Sequence, residues 1–364
     1  MPLDSKEETR IDGEYVLAPL PSARKLRDRR GELAGLLRRS DLHPLYQCIA
    51  FFNSGKIFGH DALIRGPVGK ALHMPDALLQ AAAAAESLTY EFESLAAARE
   101  IEGWGTLREP GRIFVNVSAA VLVQVVQACG VAALRHRVMA MGVLPRMVVL
   151  EITEHERVSD MDRRAKVVEE VRDMGMSLAL DDFGDGRSSL RLWSQLKPEF
   201  VKIDKYFTKD ISRHADMLKT IQASQQIGAI FNTSLVAEGI ETLEDLRVLR
   251  DLGIPDGQGY LLGLPTDKPV AAIDPKSEGV LKDRRVPVFP ESAASAQLAD
   301  SRAISVIDAP TVDIHTTNCE RLSESAQIGR RKYGGVKKSR HENCHFAAGS
   351  SAGVSPAKRT LEAA

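Results

Sequence analysis

Along this 364-residue chain, a carboxylate, an amide or a lysine recurs at or inside short apolar runs: Asp61, Asn116, Glu151, the adjacent pair Asp181-Asp182, Lys202 and Glu238. Carboxylates brought together and buried without partners are costly, on the order of several kcal/mol each. A divalent cation removes that cost by supplying the missing positive charge. A donor set made only of oxygens selects Mg²⁺ or Mn²⁺ over zinc. The pair Asp181-Asp182 is the most telling feature, because neighbouring like charges at the end of an apolar strand repel unless something cationic lies between them. One carboxylate bridging two metals, with its neighbour on the second, is a natural use of such a pair. Lys202 sits inside the apolar run FVKID and makes a poor solvated surface lysine. Two metals and a fixed ammonium suit phosphodiester hydrolysis, which needs an activated water and charge relief on the phosphoryl oxygens.

Each residue also has a plainer reading. Asn116 could be a strand-end turn residue. Glu151 and Glu154 could pair with nearby arginines. Asp204 could cap the next helix, and Glu241 could open the helix that begins near Leu243.

The elements that must position these groups alternate. LYQCIAFF and KIFGHDALIR flank Asn53-Ser54-Gly55, a good hairpin turn. A long helical stretch runs from Ala77 to Trp104. Strands follow at 113–118, 147–153, 177–183, 200–204 and 234–241, with helical segments between them, and 257–263 closes the series. Short apolar strands alternating with helices signal a parallel β/α sheet buried on both faces. About eight strands in ~225 residues fit a closed β/α barrel, whose C-terminal strand ends gather on one rim. No GxGxxG follows any strand, so nothing favours a dinucleotide-binding fold.

The ordered segments GHDALIRG, FVNVS, LEITE, LDDFGDG, VKID, AEGIE and QGYLLGLP resemble the EAL-domain phosphodiesterases, which hydrolyse cyclic di-GMP to linear pGpG. The resemblance runs from about Leu42 to Pro265. It implies a TIM-like (β/α)8 barrel with one reversed strand and a cyclic-guanylate-specific phosphodiesterase activity using two Mg²⁺ or Mn²⁺ ions. It places Asp61, Asn116, Glu151 and Asp181 around one metal and Asp181 with Asp182 around the second, with Glu238 as a further ligand or base. Lys202 corresponds to the lysine that orients the attacking water, and Glu154 to the glutamate that steadies the loop after the aspartate pair. Gln47, Leu63, Arg65, Asp204 and Gln258 fall at substrate-side positions, the arginine at a phosphate, and Glu241 lines the site. Homodimerisation through the barrel is a further expectation.

Four departures from the family pattern stand out. The signature Glu-Ala-Leu is Asp61-Ala62-Leu63, and the aspartate reaches ~1.5 Å less far. Cys48 replaces a common proline, Asp185 a usual threonine and Arg187 a usual tyrosine. A non-catalytic cyclic di-GMP receptor is therefore one alternative. An unrelated Mg²⁺-dependent barrel lyase using Lys202 as base is another, disfavoured by the order of the motifs.

Bulk properties agree with a soluble, cytoplasmic protein. The net charge of −1 and pI of about 6.8 favour neither a nucleic acid polymer nor an anionic membrane. No apolar run approaches the ~20 residues of a membrane span, and the N-terminus lacks a signal-peptide core. The scattered Cys48, Cys129, Cys319 and Cys344 suit a reducing compartment. Residues 1–40 read as an N-terminal extension ending in an entry helix, with Leu33, Leu36 and Leu37 at helical spacing, and 41–268 as the barrel. Residues 269–364 read as a largely disordered extension, within which 301–325 resemble the start of a CBS-like regulatory domain that does not continue.

Overall fold

The computed structural model describes residues 23–107, 111–152, 161–184 and 190–283. Eight strands close into a barrel in chain order: β1 (His43–Phe51), β2 (Ile57–Arg65), β3 (Arg112–Asn116), β4 (Val148–Ile152), β5 (Ser177–Phe183), β6 (Phe200–Ile203), β7 (Ser234–Ala237) and β8 (Asp256–Gly257). Strand β1 runs antiparallel to both its neighbours, β2 and β8, and the remaining pairs are parallel. The reversed strand is thus the first arm of the hairpin that turns at Asn53-Ser54-Gly55.

Around the barrel lie α1 (Ala23–Arg39), α2 (Pro75–Ala83), α3 (Glu86–Leu107), α4 (Ala119–Cys129), α5 (Val131–Ala140), α6 (Met161–Asp173), α7 (Leu190–Leu196), α8 (Lys205–Thr208), α9 (Ala215–Phe231), α10 (Leu243–Asp251) and α11 (Pro275–Lys282). Leu33, Leu36 and Leu37 of α1 are buried with Leu42, Ile64, Leu78 and Phe92, so the entry helix seats on the corner made by β2, α2 and α3. No single described helix is long and apolar enough to cross a membrane.

The barrel interior follows the two-residue period of its strands. Ile49, Phe114, Val149, Ala179, Phe200 and Val236 form one buried apolar layer, with Phe58 packed against it. Two residues further towards the rim, the inward positions on these strands hold Gln47, Asn116, Glu151, Asp181, Lys202 and Glu238. The apolar layer is therefore the floor on which the polar layer stands.

Four expected elements differ. The closing strand read over 257–263 is only Asp256–Gly257. The helical stretch read as continuous from Ala77 to Trp104 is two helices separated at Ala84-Ala85, although the alanine run contains no helix-breaking residue. The break lets α2 pack on α1 while α3 lies along the barrel. The strand expected over 234–241 stops at Ala237, because Gly239 turns the chain with φ of +65° and a Cβ there would lie 2.4 Å from Lys205 Cβ. After Pro265 the pattern does not fade at once. Asp274 caps α11 through Lys276 N and Ser277 N, and Val280 and Leu281 of that helix are buried. Residues 269–283 of the extension are thus described and carry a capped helix. Residues 284–364, with the CBS-like stretch, lie outside the described residues, as do Glu154, Asp185 and Arg187.

Candidate active site

Asp181 and Asp182 occupy an irregularity in the β5–β6 pairing. Leu180 pairs with Val201 and Phe183 with Ile203, so the two aspartates together face the single residue Lys202. In a regular strand adjacent side chains point to opposite faces. The extra residue removes that constraint, and both aspartates line the same cavity. Asp182 adopts φ of +50°, a left-handed conformation that aspartate tolerates better than most residues.

The Lys202 side chain is 2 % exposed and ends among carboxylates, with Nζ 2.9 Å from Glu151 Oε1, 2.9 Å from Glu238 Oε1, 3.0 Å from Asp61 Oδ2 and 3.5 Å from Asp181 Oδ1. Gln258, just past β8, donates from Nε2 to both Asp61 Oδ2 and Glu238 Oε1, at 3.1 Å each. Burial alone would discharge the lysine, but Asp181, Asp61, Glu151 and Glu238 outweigh it and hold the ammonium well above the usual lysine range. Burial pushes the Glu238 carboxyl up to about 8, against the pull of Lys202 and with the help of Asp181 and Asp182. Burial and then Asp61 raise Glu151 in the same way.

One ammonium does not neutralise this cluster. Asp61 Oδ1 and Glu151 Oε2 are buried and accept no hydrogen bond among the described residues. Asp181, Asp182 and Glu238 offer carboxylate oxygens that all lie within 4.8 Å of one another. Buried oxygens without donors, a three-carboxylate cluster and an oxygen-only donor set fit a divalent cation. The cavity they line measures about 610 Å³, within the ~300–1,000 Å³ of small-molecule sites.

The barrel brings together Gln47, Asp61, Leu63, Asn116, Asp181, Asp182, Lys202, Glu238 and Gln258 as cavity-lining residues, with Glu151 buried beneath Lys202. Gln47 is anchored by Nε2 donating to Gly263 O at 3.0 Å. Other expected residues are placed elsewhere. Arg65 is half-buried beside the cavity, with Nη1 donating to Ile64 O. Asp204 accepts from Tyr206 N at 2.8 Å and caps α8, the plainer of its two readings. Glu241 is exposed and precedes Thr242, the N-cap of α10.

Three cavity-lining carboxylates were not expected: Asp76, Glu93 and Glu100. Glu93 accepts from Ser118 N at 2.7 Å, and Glu100 is 2 % exposed. A signal for Glu100 existed in the sequence, since it continues the four-residue stripe Phe92, Ala96, Trp104 on the buried face of α3.

The EAL domain model matches residues 30–265. The chain belongs to the EAL domain family. This EAL domain is 30% identical over 249 residues to the cyclic di-GMP phosphodiesterase NbdA of Pseudomonas aeruginosa, a match covering 67% of this chain and 31% of NbdA. Among solved structures it resembles a manganese and cyclic di-GMP complex of Klebsiella pneumoniae BlrP1, with a TM-score of 0.56, 29% identity and coverage of 62% of this chain and 56% of that one. It also resembles a cyclic di-GMP complex of the PaMucR phosphodiesterase, with a TM-score of 0.52, 29% identity and coverage of 62% and 97%. The chain spans about a third of the length of the first curated relatives it matches. The likeness supports the barrel, and the BlrP1 structures it resembles hold calcium or manganese with cyclic di-GMP.

Proposed function

We propose that this EAL domain is an active phosphodiesterase that hydrolyses cyclic di-GMP to linear pGpG with two Mg²⁺ or Mn²⁺ ions. The observation that carries the reading is the convergence of four carboxylates, Asp61, Glu151, Asp181 and Glu238, on the ammonium of Lys202, with Asp182 clustered beside Asp181 and Glu238. With all five ionised, Lys202 offsets only one of their negative charges, and divalent cations would offset more. Ions held by these carboxylates and Asn116 would supply Lewis acidity towards water and the phosphoryl oxygens.

The chain's own residues do the rest. Lys202 keeps its charge and fixes a water by donating to its oxygen, presenting positive charge where negative charge develops in the transition state. Glu238 Oε1 faces Lys202 and Gln258, which leaves Oε2, as the ionised carboxylate, to take the water's proton. Gln258 ties Asp61 to Glu238 and fixes their relative orientation. Gln47 and Leu63 border the space the dinucleotide would fill, and Arg65, beside the cavity, suits one of its phosphates.

A non-catalytic receptor is the second reading, favoured by one observation: Asp61 stands in place of glutamate and its Oδ2 is already engaged by Lys202 and Gln258. The lyase reading lacks such support, because a lysine must be neutral to act as base and four carboxylates hold Lys202 charged. Incubation of purified protein with cyclic di-GMP and Mg²⁺ or Mn²⁺, following pGpG, separates the two. Product with either metal supports the enzyme; tight binding without product overturns it in favour of the receptor.

A further inference from the structure

Strand β2 carries Asp61, Leu63 and Arg65, yet its outer half has a partner on one side only. Pairing with β3 ends at Asp61–Phe114, while pairing with β1 continues to His43–Arg65. Opposite Ile64 stands Pro44, which has no N–H to donate. Tyr46, two residues on, exchanges both backbone hydrogen bonds with Thr266 instead of β2. By the alternation of an antiparallel ladder, Ile64 therefore turns its N–H away from β1, into the gap left by β3. A buried backbone donor in such a gap needs an acceptor.

Glu100 occupies that gap. It rises from α3 on the stripe Phe92, Ala96, Trp104, is 2 % exposed, and lines the cavity with Asp61, Leu63 and Ile64. The Ile64 N–H donates to its carboxyl, and the Arg65 guanidinium and Asp61 carboxylate are close enough to act on it electrostatically. Its Oε2 is buried without a partner among the described residues. A buried carboxylate is expensive, and packing alone would be better served by an apolar residue on this stripe.

We infer that Glu100 is a positioning residue: by accepting from Ile64 N–H it closes the β2–β3 gap and fixes the end of β2 that presents Arg65 to the substrate. The inference rests on the phosphodiester-binding reading of the site, and concerns how Arg65 is held, not which groups do the chemistry.

The test compares Glu100→Ala, which removes the acceptor, with Glu100→Gln, whose amide oxygen retains it. Two readouts are used on the full chain. In the metal- and ligand-free protein, amide hydrogen exchange of the segment around Ile64–Arg65 is expected to speed up about tenfold or more in Glu100→Ala, with the rest of the barrel unchanged, and to stay near wild type in Glu100→Gln. In turnover with cyclic di-GMP, KM is expected to rise about tenfold in Glu100→Ala with kcat within roughly twofold, and to recover in Glu100→Gln. Equal protection of Ile64–Arg65 in all three proteins would overturn the inference, as would a glutamine variant as impaired as the alanine one. Absence of pGpG from the wild type would count against the phosphodiesterase reading alone, because the exchange comparison needs no substrate.

Discussion

Lys202 Nζ lies 3.0 Å from Asp61 Oδ2, joining β6 to β2 on opposite sides of the barrel. The same ammonium reaches Glu151, Asp181 and Glu238, so the polar layer of the barrel is organised around one cation and stands on an apolar floor. Removing that cation, or shifting any of its partners, has consequences that can be measured separately.

Replacement of Lys202 by methionine keeps much of the volume and deletes the charge. Loss of one member of a buried ionic cluster costs about 3–5 kcal/mol, so the melting temperature of the metal-free protein is expected to fall sharply. Added Mn²⁺ should restore more of it in Lys202→Met than in the wild type, because Lys202 then no longer offsets the carboxylates. Turnover should drop by about 10²–10³-fold even with metal present. Calorimetric melts with and without Mn²⁺, alongside the product assay, check both parts.

The irregular pairing of β5 and β6 separates two roles of Asp182. Both Asp182→Asn and Asp182→Ala remove a carboxylate from the Asp181–Asp182–Glu238 cluster and should weaken metal binding. Only alanine also bears the full cost of φ at +50°, about 1 kcal/mol, since asparagine tolerates this conformation. Denaturant unfolding of the metal-free variants should therefore place Asp182→Ala below Asp182→Asn.

Glu238 predicts a pH dependence. Its folded-state carboxyl sits at about 8 without metal, above the ordinary 4.5. The folded protein thus holds a proton that the unfolded chain releases, and this contribution to stability is present below about pH 4.5 and is lost as pH rises through about 8. Cations compete for the same carboxylate, so Mn²⁺ affinity should increase over that window and binding should release protons. Titration calorimetry in buffers of different ionisation enthalpy measures the release directly. A Glu238→Gln variant should show a weaker pH trend.

Glu100 gives the opposite balance between stability and function. Burial first, and then Asp61, raise its carboxyl well above the ordinary range, so at neutral pH the glutamate weakens the fold relative to an uncharged isostere. The sign follows from its raised folded pKa: the stabilising contribution is intact below about pH 4.5 and shrinks as pH rises. Glu100→Gln should melt higher than wild type at pH 8 and close to it at pH 4.

Much of this site was legible in the sequence because it obeys a simple period. Asn116, Glu151, Asp181, Lys202 and Glu238 each lie two residues after an apolar inward residue, and a barrel gathers such positions on one rim. The order of the motifs then identified the family. What was not legible depends on packing between distant elements. Asp204 caps α8 through Oδ1, a role the sequence offered beside that of a substrate contact. The separation of α2 from α3 has no breaking residue to announce it. Glu100 acquires meaning only once β3 stops pairing with β2 beside it. The helix α11 is short, and its cap at Asp274 is a weak signal without the α10 surface it packs on.

Hydrolysis in ¹⁸O-labelled water with Mn²⁺ reports both turnover and the origin of the attacking oxygen. Labelled pGpG from the wild type, with one heavy oxygen in its terminal phosphate, and its loss in Lys202→Met are the predicted results. Tight cyclic di-GMP binding with no pGpG, or pGpG that carries no label, would contradict the account.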